Sequence, residues 1–64
     1  MTVLPFSIFR GRFGDKDVVW LGAYEGLTGA RDRMLQIAAK QPGAYFVLNL
    51  ASHSLTLSLD TAHP

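Results

Sequence analysis

The sequence predicts an α+β fold, β-β-α-β-β in order, with one helix packed on one face of a four-stranded, mainly antiparallel sheet. Three observations carry this reading. Near the C-terminus Phe46, Leu48 and Leu50 alternate on one segment and Leu55, Leu57 and Leu59 on the next, with Ser54, Thr56, Ser58 and Asp60 between them, the period-two signature of half-buried strands. Before them, Leu27, Ala30, Met34, Ile37 and Ala38 fall on one stripe of a helix at 100° per residue. The N-terminal third adds two extended apolar segments separated by glycine and aspartate.

The first strand is expected over Leu4 to Arg10, with Phe6 and Ile8 on one face and Ser7 and Phe9 on the other. Gly11, Gly14, Asp15, Lys16 and Asp17 then mark a turn. The second strand, Val18 to Tyr24, is β-branched and aromatic and apolar on both faces, Val19, Leu21 and Ala23 alternating with Val18, Trp20 and Tyr24. Trp20 therefore points either to the helix or away from it.

Thr28 is the expected N-cap, with Leu27 before it as a hydrophobic staple, and the helix should run to Lys40 or Gln41 before Pro42 and Gly43 stop it. Asp32, Arg33, Gln36 and Lys40 lie opposite the apolar stripe, and the small Ala30 and Ala38 allow close approach to a sheet. A two-residue turn at Ser52 and His53 would pair Leu50 with Leu55, Leu48 with Leu57, Phe46 with Leu59 and Asn49 with Thr56. A right-handed crossover gives the strand order 2-1-3-4, and 1-2-3-4 is the competing order.

The 64 residues fit a single domain over 1–64, with an ordered core over about 4–60. Chains of this length bury only about 60% of their unfolded surface and are marginal alone. With no cysteine and two histidines, neither a disulfide nor a structural metal site supplements the core, which leaves oligomerisation. Pro5 interrupts Thr2 to Ile8, which has no basic start or cleavage site, and no apolar run approaches the roughly twenty residues of a membrane span. These features lead to the expectation of a soluble cytoplasmic protein without membrane contact. The net charge of +1 argues against a dedicated polyanion binder.

One helix covers one sheet face, so the far face is where function is sought. It is expected to collect Phe9, Val18, Trp20, Tyr24, Tyr45 and Val47 beside Asn49, Thr56 and Ser58, and an apolar surface of this kind marks an interface or a groove. Phe9, Trp20, Tyr24, Tyr45 and Val47 are the interface or ligand candidates. The expected function is an interaction or regulatory role as a homodimer formed by this face or by edge pairing, since neither the second nor the fourth strand carries the lysines or prolines that discourage pairing. The alternative is a nucleic-acid-binding module using the Arg10 to Gly14 hairpin (Arg10, Arg12) and the helix cations Arg31, Arg33 and Lys40. Neighbouring Asp15, Asp17, Glu25 and Asp32 dilute that surface. A third class is a small-molecule binder or enzyme with a pocket at the dimer interface near Tyr24, Tyr45 or His53.

No catalytic residue, metal site or cofactor is assigned. Ser52, His53, Ser54, Asp60 and His63 supply the residue types of a hydrolase triad or a metal site, but a tight turn provides no pocket or oxyanion hole, and the spacing matches no ligand motif.

Trp20-Leu21, Glu25-Gly26-Leu27, Ala30, Arg33-Met34, Ile37-Ala38-Ala39, Pro42-Gly43, Tyr45-Phe46-Val47, Ser52-His53-Ser54 and Asp60-Thr61 together resemble the pattern of short uncharacterised bacterial proteins encoded as stand-alone open reading frames. The resemblance spans Val18 to Thr61 and leaves out the first strand and the Arg12-Phe13-Gly14 turn. It implies a complete protein rather than a fragment, and carries over no activity, cofactor or catalytic residue.

Overall fold

The computed structural model describes residues 4–61. They form β1 (Phe6–Arg10), β2 (Val19–Tyr24), α1 (Leu27–Lys40), β3 (Ala44–Asn49) and β4 (Ser54–Asp60), in an α+β arrangement. The four strands make one sheet in the order β2-β1-β3-β4, each neighbouring pair antiparallel. Of the two expected strand orders, this is the one that puts β3 beside β1. The strands β2 and β3 run parallel on either side of β1, and α1 is the crossover that such a pair requires.

The helix begins at Leu27, with Gly26 as an extended N-cap (φ −118°, ψ 150°) that makes no side-chain hydrogen bond. Thr28 thus lies in the first turn and does not cap. Glycine at this position costs only a few tenths of a kcal/mol relative to a side-chain cap, so the apolar stripe sets where the helix starts. Ala30, Met34 and Ala38 are buried against the sheet, while Leu27 is exposed. At the other end the Gln41 N–H donates to the Ile37 carbonyl (2.9 Å), and Lys40 in the last turn complements the helix dipole.

Ile8 and Val47 are cross-strand partners, both fully buried, at the centre of the core. Around them pack Ala30, Met34, Ala38 and Tyr45, with Phe6, Tyr24, Ile37, Leu57 and Leu59 at the margin. Full burial of an aliphatic side chain of this size contributes about 1.5–3 kcal/mol.

Both edge strands carry a β-bulge. Ile8 pairs with Gly22 and Phe9 with Trp20, which leaves Leu21 as the extra residue of β2. Val47 pairs with Leu57 and Leu48 with Leu55, which leaves Thr56 as the extra residue of β4. A bulge breaks the period of two, so residues that alternate in sequence come to lie on opposite faces. Leu57 and Leu59 face the helix, whereas Leu55 turns away with Leu48.

The register of the last hairpin consequently differs from the expected one. Tyr45 is opposite Leu59, Phe46 opposite Ser58 and Asn49 opposite Ser54, in place of Phe46 with Leu59, Leu48 with Leu57, Leu50 with Leu55 and Asn49 with Thr56. The connection is four residues long, 50–53, because the Asn49 Oδ1 accepts hydrogen bonds from the Ala51 and Ser52 amides (2.9 and 3.3 Å) and starts the turn early. His53 closes it at φ 54°. No helix of the described residues is long and apolar enough to cross a membrane.

Candidate functional site: the open face of the sheet

The face away from α1 is built from two rows of cross-strand partners. Trp20, Phe9, Phe46 and Ser58 run across the four strands in one row, and Ala23, Ser7, Leu48 and Leu55 in the next. Phe46 lies between two other rings. Phe9 stacks on it at 5.1 Å and 15°, and Phe13 meets it edge-on at 5.6 Å and 86°, both favourable arrangements for aromatic quadrupoles. Phe46 is accordingly only 4% exposed, yet Trp20 is 60%, Phe13 58% and Leu55 41% exposed.

The loop between β1 and β2 holds Phe13 over the sheet. Gly11 adopts φ 124°, and its N–H donates to the Ala44 carbonyl (2.7 Å), anchoring the loop to β3. The next four residues close a turn: the Asp15 N–H donates to the Arg12 carbonyl (2.9 Å), the Arg12 N–H donates to the Asp15 carboxylate (3.2 Å), and Gly14 takes φ 96°. Only glycine adopts such backbone angles without strain. Arg12 Nη2 also pairs with Asp60 Oδ2 at 3.0 Å, tying the loop to the end of β4. A groove of about 310 Å³ results, with Phe13, Phe46, Leu55 and Ser58 as its lining and the Arg12–Asp60 pair at its rim.

Of the residues singled out from sequence, Phe9 and Trp20 lie on this face. Tyr24, Tyr45 and Val47 do not, since they pack beneath α1 in the core. For Tyr24 the reason is the Leu21 bulge: Trp20 and Tyr24, four apart, would share a face in a regular strand. For Tyr45 and Val47 the reason is that β3 presents the opposite alternation to the helix. The Tyr45 hydroxyl reaches the Gln41 carbonyl at the helix end, which satisfies its polar group inside the core. Phe46, Leu48, Leu55 and Phe13 are the open-face residues that the regular alternation missed. Phe9 carried the available signal, because its strand is unambiguous and its neighbour across the sheet must share its face.

The candidate nucleic-acid residues divide between two layers. Arg10 stands opposite Tyr45 on the helix side and donates to Gln41 Oε1 (3.4 Å). Arg31 and Arg33 lie on the exposed surface of α1, where Arg33 donates to Gln36 Oε1 (3.3 Å). Arg12, at the open-face groove, is already paired with Asp60. Phosphate-binding cations are thus not assembled around the aromatic rings.

His53 sits in the exposed β3–β4 turn, where the Ser52 and Ser54 hydroxyls bond each other at 2.6 Å. Asp60 lies at the far end of β4, about 20 Å away along a strand rising about 3.3 Å per residue. His63 lies outside the described residues. Among the described residues there is no group of three or more His, Cys, Asp or Glu side chains able to hold a metal. Compared with family models, curated proteins and solved structures, the chain matches none.

Proposed function

We propose that the protein works through its open sheet face, and that the occupant is a second copy of the chain packed sheet against sheet, giving a homodimer with an interaction or regulatory role. The observation that carries this reading is Trp20, the largest apolar side chain in the sequence, standing 60% exposed on a sheet face with two neighbouring phenylalanines. Charge supports the same occupant. Asp60 already matches Arg12, so the rim of the groove does not call for an acidic partner, and a net charge of +1 lets two copies approach with little repulsion.

The size of the face sets the strength of the association. Four strands of five to seven residues present about 19 by 18 Å, or roughly 700 Å² of projected surface for two copies. That is below the roughly 1,200 Å² of stable complexes, so the dimer expected here is a weak, reversible one.

Light scattering on a sizing column over a concentration series, with absorbance at two wavelengths, tests the reading. A mass rising reversibly from 7.0 kDa to twice that value, free of nucleic acid, is expected. A monomer at every concentration, or co-eluting nucleic acid, overturns it.

A further inference from the structure

On the opposite layer from the open face, α1 and β2 enclose a second groove of about 680 Å³. We propose that it binds a small organic anion, a carboxylate head on an aliphatic body. Leu21, Tyr24 and Ile37 give the groove an apolar lining, and Arg33, Gln36 and Lys40 give it a polar one.

Two independent features create this combination. The β2 bulge inserts Leu21 as an extra residue and turns it toward the helix layer, where it lines the groove with Ile37. Along α1, Arg33, Gln36, Ile37 and Lys40 are spaced i, i+3, i+4 and i+7, so they share the flank of the helix beside its buried stripe rather than the face opposite it, and there they line the groove with Leu21 and Tyr24 of β2. Arg33 and Lys40 lie about 10 Å apart along the helix axis, on either side of Ile37. Both are exposed, Ile37 is half-buried between them, and all three line the groove.

The charges on this stripe are unbalanced. No carboxylate lines the groove, and among the described residues the ion pair found is Arg12–Asp60, on the other side of the molecule. Arg33 commits one N–H to Gln36 Oε1 (3.3 Å) and keeps its other donors. Gln41, which lines the Lys40 end of the groove, is held in place by a hydrogen bond that its Oε1 accepts from Arg10 (3.4 Å). A cationic rim over an aliphatic floor is complementary to an anionic amphiphile, and the volume falls within the roughly 300–1,000 Å³ typical of small-molecule sites.

The same bulge discriminates between occupants. A peptide entering beside β2 would pair with the strand's outer edge, and Leu21 breaks the regular run of amides and carbonyls that such pairing needs. Side chains, not backbone, therefore hold the occupant.

The probe is octanoate, with its neutral amide, octanamide, as control, followed by ¹⁵N-resolved NMR on the full chain. Saturable shifts are expected at the amides of Leu21, Gln36, Ile37 and Lys40, with octanoate binding at least fivefold more tightly than octanamide. Arg33→Gln and Lys40→Gln should each weaken octanoate at least fivefold while leaving the unfolding midpoint near that of the parent, which separates ligand binding from Lys40's service to the helix dipole. Trp20→Ser should leave octanoate binding intact, so this site stands or falls separately from the dimer. Equal affinity for octanamide, shifts centred on Phe9, Phe46 and Leu55, or unchanged affinity in both cation variants overturns the proposal. Loss of binding in Trp20→Ser overturns it as well.

Discussion

Replacing Trp20 by serine removes the side chain on which sheet-to-sheet association most depends. A tryptophan exposes up to about 250 Å², so 60% exposure leaves about 150 Å² in water. If a facing copy covers half of that, each tryptophan contributes about 2 kcal/mol at 25 cal/mol per Å². A symmetric dimer contains the residue twice, and about 4 kcal/mol corresponds to an affinity loss between about 10²- and 10³-fold. A weak, reversible dimer becomes a monomer at any practical concentration. The assay is native mass across a dilution series, joined to fluorescence, because the chain contains a single tryptophan. Emission should shift to shorter wavelength as the wild type concentrates, in step with the mass. The fold itself should persist, since the core lies on the other side of the sheet. A Trp20→Ser chain that associates as tightly as the wild type, or a tryptophan emission that ignores concentration, refutes the reasoning.

Three further outcomes are expected in denaturant unfolding. Ile8→Ala empties the centre of the core and should cost about 2–5 kcal/mol, enough to unfold a domain this small. Gly11→Ala combines φ 124° with a Cβ placed 3.0 Å from Val18 Cγ1, whereas Gly14→Ala meets open space at φ 96°. Both should destabilise by about 1–2 kcal/mol from backbone strain, with Gly11 the larger loss. Asn49→Ala leaves the Ala51 and Ser52 amides without their acceptor and should cost about 1–2 kcal/mol, while Asn49→Asp retains most of the stability.

The fold's regular parts were legible in the residues. In β1, Phe6 and Ile8 alternate with Ser7 and Phe9 without interruption, and they occupy the faces that the alternation dictates. The α1 stripe of Ala30, Met34 and Ala38 follows helical geometry and is buried as expected. The edges were not legible, because a bulge is a one-residue change of phase with no side chain of its own. Leu21 and Thr56 look like ordinary strand residues, yet each reverses the facing of what lies on one side of it. The error then propagated to the candidate site. Taking Leu55, Leu57 and Leu59 as one row turned Phe46 and Leu48 inward and Tyr45 and Val47 outward, the reverse of what β3 does. Asn49 held the missing information, since an Asx turn there lengthens the connection and shifts the register. The cationic groove depended on the same Leu21 bulge, and so was hidden with it.

The contact between Arg12 and Asp60 joins residues 48 apart in sequence, and it bears on how the chain folds. An exposed pair of this kind adds less than about 1 kcal/mol to stability, so its weight falls on timing. A contact between residues so far apart in sequence pays its loop-closure entropy before it returns anything, so it forms after β3 has joined β1 and β4 has joined β3. Until then Phe13 lacks its Phe46 partner, and β1, a central strand, has an unpaired side. The loop that carries Phe13 is therefore latched last, and the groove beneath it is complete only when the whole sheet is.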